Sequence, residues 1–316
     1  MADRAIHPDT TIGDVRLTVA DLDRSLAFYQ GALGWHVAQR DEAHVSLSAT
    51  GHLPAQILLT VQPGARPQPR GTSGLYHFAL LFPHRRALAR ALRRLTSVRV
   101  PVEGASDHLV SEAIYLSDPD GHGIELYADR PREQWPRRNG RLQMATEPLD
   151  FDGLIAELRD DDEPWRGTDP ATRLGHVHLH TADLDPAAAF YRDLLGFDEM
   201  LRYGPSALFL SAGGYHHHIG LNTWAGVGVP PPPPASVRLQ AFTLALPDPD
   251  ELARLARHVL GEQREWLRGF YDVGTGLELH LAGPDEIGVV LAVRRDAPAR
   301  APEQVDLGRW LGSLQQ

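Results

Sequence analysis

Four side chains within residues 77–125 have the types and the order of a metal site. His77 and Glu125 each lie in a short segment of alternating apolar residues. Such segments are typical of β-strands, in which alternate side chains face one side of a sheet. His108 and Tyr115 lie between the two segments. A histidine and a glutamate on strands, near a second histidine and a tyrosine, are the parts of a non-haem iron site that still lacks one ligand.

The composition excludes several classes of protein. The 316 residues are enough for one large or two modest domains. A formal charge of −10 argues against a nucleic-acid partner, because neutralising phosphates needs a basic surface. Cysteine is absent, which leaves histidines and carboxylates as metal ligands. No apolar run approaches the roughly 20 residues of a membrane span, and the N-terminus lacks the apolar core of a signal peptide. We therefore expect a cytoplasmic protein without a membrane partner.

An internal repeat predicts the architecture. Residues 12–35 reappear as residues 174–197, and 12 of the 24 aligned residues are identical. Each copy begins with a strand pattern. In the first copy Asp21 follows at a helix N-cap position, where its carboxylate can accept the first backbone N–H groups. A helical stripe and further strand patterns come next, so each copy predicts a βαβββ unit of about 50 residues.

A second kind of unit follows each copy. After the strand that contains His77, Pro83 is expected to open a helix. Strands are expected near Val98–Val102, Ala113–Leu116 and Gly123–Tyr127, and residues 239–246 echo the strand of His77. The fold class is therefore α+β, with four tandem βαβββ modules at 12–62, 75–128, 174–224 and 237–293.

The modules suggest a division of the chain into segments. Modules one and two form an N-terminal domain at 1–130, and modules three and four form a C-terminal domain at 174–296. An insertion at 131–173 separates them, and a tail follows at 297–316. The insertion is expected to contain an amphipathic helix, Phe151–Leu158, and a solvated acidic run, Asp160–Glu163. The five prolines Pro230–Pro234 predict a surface loop between modules three and four.

The pattern G-x-V-x-L, followed by D-L and F-Y, resembles the opening of modules in the vicinal oxygen chelate superfamily. That superfamily includes glyoxalase I, fosfomycin and bleomycin resistance proteins, and extradiol ring-cleaving dioxygenases. The resemblance covers all four modules. It implies two half-open barrels, each built from a pair of modules, with a divalent metal inside.

The segment from His108 to Glu125 resembles the signature of extradiol dioxygenases. His108 is followed, after five residues, by Ile114-Tyr115 and, after two more, by Asp118-Pro-Asp-Gly. Three further residues lead to Glu125. Ser106 departs from the signature, which has Gly, Asn, Thr, Ile or Val there. Taken with His77, the segment is similar to the catalytic half of the four-module catechol 2,3-dioxygenases of bacteria.

Module four lacks the ligand residues of module two. Ala241 aligns with His77, and Val290 aligns with Glu125. Module four is therefore not expected to hold a metal.

Two candidates remain for the missing ligand, because the resemblance places it on the first strand of the partner module. Module one offers Asp14 there, and module three offers His176. Pairing of modules two and three gives His77, Glu125 and His176, the two-histidine, one-carboxylate set that suits Fe(II). Pairing of modules one and two gives one histidine and two carboxylates. Pairing of modules two and three is preferred, because it explains why the intact candidate ligands lie in these two modules. Pairing of modules one and two stays open.

Module three also contains further histidines. His178 and His180 share a strand face with His176, which is favoured because it aligns at the start of the strand. The segment Tyr215–Asn222 is expected to turn His216 and His218 into the barrel, opposite the ligands. Extradiol enzymes are similar in placing an acid–base histidine on this strand.

The resemblance assigns that role to His218, with His216 as the alternate. It makes His108 and Tyr115 donors that steady an intermediate and polarise a substrate oxygen. His84, His122, His258 and His280 receive no role.

The leading hypothesis is an Fe(II)-dependent extradiol dioxygenase that inserts both atoms of O2 into a catechol-type aromatic diol. The first alternative is a glyoxalase-like isomerase or lyase with Zn2+, Ni2+ or Mn2+. The second is a metal-free resistance protein that binds a small molecule. The sequence leaves the aromatic substrate open, along with the orientation of Trp224 and Phe209 and the question of a homo-oligomer.

Overall fold

The computed structural model describes residues 5–159 and 164–314. The acidic run Asp160–Glu163 lies outside these residues. The strands are β1 (Thr11–Val19), β2 (His36–Arg40), β3 (His44–Ser48), β4 (Ile57–Val61), β5 (Gly74–Phe82), β6 (Gly104–Asp107), β7 (Ser111–Ser117), β8 (Gly123–Asp129), β9 (Arg137–Arg138), β10 (Arg141–Leu142), β11 (Arg173–His180), β12 (Asp198–Tyr203), β13 (Ala207–Ser211), β14 (Ile219–Asn222), β15 (Arg238–Ala245), β16 (Leu267–Asp272), β17 (Gly276–Ala282), β18 (Gly288–Arg294) and β19 (Glu303–Gln304). The α-helices are α1 (Leu22–Gly31), α2 (Arg85–Ser97), α3 (Phe151–Ile155), α4 (Leu184–Ala188), α5 (Pro249–Glu262) and α6 (Leu307–Ser313), and α4 continues as a π-helix over Ala189–Leu194.

The order of these elements confirms the four βαβββ modules. Module one is β1-α1-β2-β3-β4, and module two is β5-α2-β6-β7-β8. Module three is β11-α4-β12-β13-β14, and module four is β15-α5-β16-β17-β18. The predicted cap Asp21 is confirmed, since it accepts a hydrogen bond from the backbone N–H of Arg24 at the start of α1, and Asp183 caps α4 in the repeat. The prediction that Pro83 opens α2 is wrong, because His84 is the N-cap and the helix begins at Arg85.

The modules pair across the chain rather than along it. One sheet has the order β12-β13-β14-β11-β5-β8-β7-β6, which joins modules two and three. The other has the order β19-β16-β17-β18-β15-β1-β4-β3-β2, which joins modules one and four. In each sheet the first strands of two modules run antiparallel at the centre, β5 beside β11 and β1 beside β15. The segments 1–130 and 174–296 thus each contribute one module to each curled sheet, or barrel.

Two turns tie the barrels together at equivalent points. Asp120, in the turn before β8, accepts a hydrogen bond from the backbone N–H of Ala20, 3.2 Å away. Asp285, in the turn before β18, accepts one from the backbone N–H of Ala182 at 3.0 Å. Tyr29 on α1 also donates to Asp118 at 2.9 Å. The Asp-Pro-Asp turn of the signature therefore docks module one onto module two, in addition to positioning β8.

Two predictions about local structure need correction, and a third is confirmed. Val98–Val102 is not a strand: it is a turn in which Arg99 has a φ of 58°, and the next strand begins at Gly104. The predicted helix Phe151–Leu158 is shorter and ends at Ile155, although Leu154 on it is buried as expected. The proline run Pro230–Pro234 is an irregular, mostly exposed loop, as predicted.

None of the helices in the described part of the chain has the length and apolar character needed to cross a membrane.

Candidate metal centre and cavity

Three neighbouring strands bring His77, Glu125 and His176 together. In the antiparallel pair β5–β11, Ala79 lies opposite His176, and His77 lies opposite His178. In the parallel pair β5–β8, Ala79 also lies beside Glu125. The small side chain of Ala79 therefore leaves room between the histidine on one neighbouring strand and the glutamate on the other. The structure places modules two and three together, so Asp14 of module one is not part of this group.

The three side chains converge on one point inside the sheet. One potential ligand atom from each lies within 4.8 Å of the other two. The Nε2 atoms of His77 and His176 are both 3.0 Å from Oε2 of Glu125. All three residues are buried, with exposed fractions of 5%, 3% and 1% for His77, Glu125 and His176. Such convergence of two imidazoles and a carboxylate is the geometry of a facial ligand set.

The hydrogen bonding and charge of the group fit a cation. His77 Nε2 is buried and makes no hydrogen bond, because its contact with Glu125 is badly directed for one. Burial by itself raises the pKa of Glu125, but the attraction of His176 and His77 and the hydrogen bond from His176 outweigh it and hold that pKa well below its usual value. Burial lowers the pKa of His176 to about 4. At neutral pH the group therefore contains a carboxylate and the neutral imidazole of His176, and with His77 it offers a donor set suited to Fe(II) and to Mn2+, Zn2+ or Ni2+.

Beside these three residues, His108 and Tyr115 form a hydrogen-bonded pair. His108 Nδ1 lies 2.7 Å from the carbonyl oxygen of Ala145, which can only accept, so Nδ1 carries the proton. His108 Nε2 lies 2.6 Å from the hydroxyl of Tyr115, whose proton it can accept. Tyr115 lies directly opposite Glu125 in the pair β7–β8. Burial, with a smaller effect of Glu125, raises the pKa of Tyr115 well above its usual value, so its hydroxyl keeps its proton.

A cavity of about 490 Å³ opens in front of the group. Tyr76, Phe209 and Trp224 form an aromatic wall on one side of it, and His77, Glu125, His108 and Tyr115 line it as predicted from the sequence. A small aromatic ring fits this volume and this lining.

Two contributors to the cavity were not predicted from the sequence. The insertion supplies Met144, Ala145 and Thr146, held over β6 by paired backbone hydrogen bonds between Asp107 and Glu147 at 2.9 Å. His178 also lines the cavity, and its Nε2 is buried without a hydrogen-bond partner. Its position two residues after His176 on the same strand face was the available signal for His178, whereas no local pattern marks residues 144–146.

The run of three histidines is arranged differently from the prediction. Strand β14 begins only at Ile219, so the alternation that was expected to turn His216 and His218 inward does not extend back to them. His217 lines the cavity instead, with its ring centroid 4.1 Å from that of His176. His218 is turned toward β13, where its Nδ1 lies 3.0 Å from Oγ of Ser211 and 3.2 Å from the backbone N–H of Ala212.

His216 lies behind His217 and is fully buried. Its Nδ1 is 2.8 Å from His217 Nδ1, and its Nε2 is 3.0 Å from Oδ1 of Asp129. Burial is the largest cause that lowers the pKa of His217 well below its usual value, so this histidine is neutral at neutral pH.

Of the four histidines without an assigned role, three have structural contacts in the described residues. His84 caps α2 by accepting from the backbone N–H of Ala87. His122 Nε2 lies 2.9 Å from the carbonyl oxygen of Thr18, and His280 Nε2 lies 2.8 Å from Glu278. None of the three lines the cavity.

Comparisons with known proteins bear on both the fold and the site. The profile of the glyoxalase/bleomycin resistance protein/dioxygenase superfamily matches residues 11–126 and 173–289. A protein of Bacillus subtilis (strain 168) named catechol-2,3-dioxygenase is 47% identical over 258 residues, which are 81% of this chain and 89% of that protein.

Two solved structures share the fold at low sequence identity. One from Bacillus subtilis, provisionally described as a dioxygenase, has a TM-score of 0.62 at 15% identity and covers 93% of this chain and 87% of its own. Glyoxalase I from Zea mays has a TM-score of 0.53 at 17% identity and covers 97% and 96%. Since both enzyme types share this architecture, the fold alone does not select the reaction.

Proposed function

Because the chain belongs to the glyoxalase/bleomycin resistance protein/dioxygenase superfamily, we propose that it is an Fe(II)-dependent extradiol dioxygenase that opens a catechol-type ring with both atoms of O2. The coarser statement, that the chain is an extradiol-type dioxygenase, follows from its 47% identity to the protein named catechol-2,3-dioxygenase. The observation that most supports the finer proposal is the buried group His77, Glu125 and His176 at the base of a ring-sized cavity.

The proposed ligand set leaves room for two partners. Two imidazoles and one carboxylate on one face of an ion leave three positions open, enough for the two oxygens of a diol and for O2. Bound Fe(II) would act as a Lewis acid toward the diol and provide the path for electrons from the diol to O2. No nicotinamide or flavin is required, because the substrate itself supplies the electrons.

The other side chains of the cavity orient the diol and handle its protons. Tyr76, Phe209 and Trp224 offer ring faces against which an aromatic substrate can pack and exclude water. We assign the acid–base role to His217, rather than to His218 or His216, because His217 is neutral and reaches the cavity. Tyr115, held by His108, keeps a hydroxyl proton that it can donate to a substrate oxygen.

The test is oxygen uptake by protein reconstituted with Fe(II) under anaerobic conditions and then mixed with catechol and air. We expect uptake with a yellow ring-opened product, and with 18O2 we expect both labelled atoms in that product. His176→Ala should abolish uptake because it removes one of three ligands. Asp14→Asn is the matched control, since Asp14 occupies the equivalent position in the other barrel, and it should retain uptake.

Two outcomes would contradict the proposal. A bound metal without oxygen uptake for any diol would favour the isomerase or lyase alternative. Incorporation of a single labelled oxygen would exclude a dioxygenase.

A further inference from the structure

We propose that Asp129 and His216 form a positioning pair that fixes the tautomer of His217, so that its Nε2 presents a lone pair to the cavity. The proposal rests on the proposed function for its catalytic consequence, but its geometry is independent of any metal. Asp129, His216 and His217 form a continuous chain of contacts of 3.0 Å and 2.8 Å.

The direction of each hydrogen bond follows from the chemistry of the end group. The carboxylate of Asp129 can only accept, so His216 Nε2 carries a proton and donates it. We infer that His216 Nδ1 is the acceptor in the contact with His217, because the ring of His216 then needs only the one proton that it donates to Asp129. His217 Nδ1 is therefore the donor in the contact between the two rings. The neutral ring of His217 is left with an unprotonated Nε2.

We infer that this nitrogen faces the cavity. His217 lines the cavity and its Nδ1 is occupied by His216, which leaves Nε2 as the ring nitrogen available to a substrate. With a lone pair there, His217 can accept the proton of a substrate hydroxyl. With the opposite tautomer it could only donate, and the first proton transfer would have no acceptor.

The pair is held rigidly from behind. The second carboxylate oxygen of Asp129 accepts a hydrogen bond from the hydroxyl of Tyr215 at 2.9 Å, and Tyr215 also lies 2.8 Å from the hydroxyl of Tyr127. The ring of His216 packs against Trp135 at 5.4 Å and against Tyr215 at 4.0 Å between centroids. Both oxygens of Asp129 are thus committed, and His216 has little freedom to rotate.

The arrangement resembles a catalytic histidine that is oriented by a carboxylate, except that His216 lies between the carboxylate of Asp129 and His217. When His217 accepts a proton, its positive charge is stabilised through His216 by the carboxylate of Asp129. Asp129 and His216 do not touch the cavity, so their role is to position His217 and not to contact substrate.

The first test is 15N NMR of histidine side chains in protein loaded with Zn2+, which is diamagnetic and makes activity unnecessary. In a neutral imidazole the protonated and unprotonated nitrogens have well-separated shifts, and loss of signals in His217→Gln assigns the ring. We expect His217 to be protonated at Nδ1 and bare at Nε2. In Asp129→Asn, whose amide can present an N–H to His216, we expect a shift of the His217 population toward the other tautomer.

The second test is oxygen uptake by the Fe(II) enzyme. We expect Asp129→Asn to lower kcat by about 10- to 100-fold, within the range of general acid–base effects, with a change in KM below about threefold. Tyr215→Phe keeps Asp129 and His216 and should cost only about two- to fivefold in kcat. Asp272→Asn is the matched control: that carboxylate is also partly buried and paired, with Arg295 and Arg300, but it belongs to the other barrel.

Several outcomes would overturn the proposal. They are a wild-type His217 protonated at Nε2, a tautomer that is unchanged in Asp129→Asn, or a switched tautomer with unaltered kcat. If Asp129→Asn does not fold, a wild-type kcat in Tyr215→Phe together with a heterogeneous His217 tautomer in that variant would also overturn it. Absence of oxygen uptake in the wild type would instead refute the proposed function, and the NMR result would still decide the tautomer.

Discussion

The two barrels share one backbone plan but treat buried charge in opposite ways. We call the barrel of modules two and three the metal barrel and that of modules one and four the closed barrel. Arg16 lies opposite Ala241 in the closed barrel, just as His178 lies opposite His77 in the metal barrel. By the same register, Asp14 of the closed barrel occupies the position equivalent to His176, and Val290 occupies the position equivalent to Glu125. Of the three candidate ligands, only His176 therefore has an ionisable residue, Asp14, at the equivalent position.

The closed barrel neutralises its own carboxylates. Arg16 donates to Asp14 at 3.1 Å and to both oxygens of Glu278 at 3.1 and 3.0 Å. Arg294 donates to Asp14 at 3.1 Å and to Glu278 at 3.3 Å. Two arginines and two carboxylates therefore form a closed network in which every carboxylate oxygen accepts at least one hydrogen bond.

The metal barrel lacks such internal compensation. Glu125 is paired with the imidazoles of His77 and His176 rather than with arginines, and nitrogen atoms of His77, His176 and His178 are buried without hydrogen bonds. A buried carboxylate and free nitrogen lone pairs are stable together when a cation binds them. The difference shows that the fold itself does not require a metal, because a pair of arginines can do the same electrostatic work in the equivalent place.

The largest expected effect is on metal affinity, and it separates the two barrels by an identical substitution. Glu125→Gln should weaken Fe(II) or Zn2+ binding more than about 1,000-fold, since even a group behind the ligands typically costs 10- to 100-fold. Glu278→Gln should leave affinity and a stoichiometry of one metal per chain unchanged. Competition with a chelator under anaerobic conditions measures both. A second bound metal in the wild type, or loss of metal in Glu278→Gln, would break the comparison.

The next effect is on stability and concerns the closed barrel. Burial raises the pKa of Glu278, but hydrogen bonds from His280 and Arg16 and the charges of both arginines outweigh it and lower the pKa to about 2 from an ordinary 4.5. A carboxyl with a lowered pKa stabilises the folded state above its unfolded value, and this stability is lost as the pH falls toward 2. The shift corresponds to about 3 kcal/mol at pH 7.

Urea unfolding tests this difference. We expect Glu278→Gln to lower the free energy of unfolding by about 3 kcal/mol at pH 7, because Arg16 and Arg294 lose a buried partner. The difference from wild type should shrink between pH 4.5 and pH 2. Glu199→Gln removes a carboxylate paired with Arg192 and Arg202 on the surface and should cost less than about 1 kcal/mol. A penalty in Glu278→Gln that did not depend on pH would contradict the network.

Much of the fold was accessible from the sequence because the repeat carries it. The alignment of modules fixed the number of βαβββ units and the alternatives for pairing. It also located Ala241 and Val290 as positions where ligands are missing. The cluster of His77, Glu125 and His176 was the preferred of two alternatives, because the resemblance placed the third ligand on the first strand of a partner module and left Asp14 open as the other candidate. Their binding of a metal stays a prediction.

The orientation of the three histidines and the contribution of residues 144–146 could not be predicted, because they depend on where the regular strands end. Gly213 and Gly214 adopt positive φ angles of 57° and 67° and turn the chain just before the three histidines. Alternation counted back from Ile219 therefore selects His216 and His218, whereas the turn presents His217. The contribution of residues 144–146 depends on long-range contacts such as the hydrogen bond from Tyr203 to the carbonyl oxygen of Met144. No local pattern contains that information.

The smallest expected effect concerns the charge of the substrate. It follows from the different positions of the arginine side chains in the two barrels. Among the described residues that line the metal-barrel cavity there is no lysine or arginine, and Glu125 is the one carboxylate. A carboxylate on the aromatic ring would therefore be desolvated without a partner. We expect kcat/KM for 3,4-dihydroxybenzoate to be at least about tenfold lower than for 4-methylcatechol.

The methyl ester of the same acid is the control for this selectivity, because it adds bulk without charge. It should be turned over more efficiently than the free acid if charge decides, and as poorly as the acid if size decides. Parallel measurements in Trp224→Phe, which keeps an aromatic wall, should preserve the order of the three substrates. Equal efficiency for acid and ester would mean that a cation reaches the cavity after all. The comparison between the closed barrel, which contains its own arginines, and the metal barrel, whose cavity is expected to bind only uncharged rings, would then be wrong.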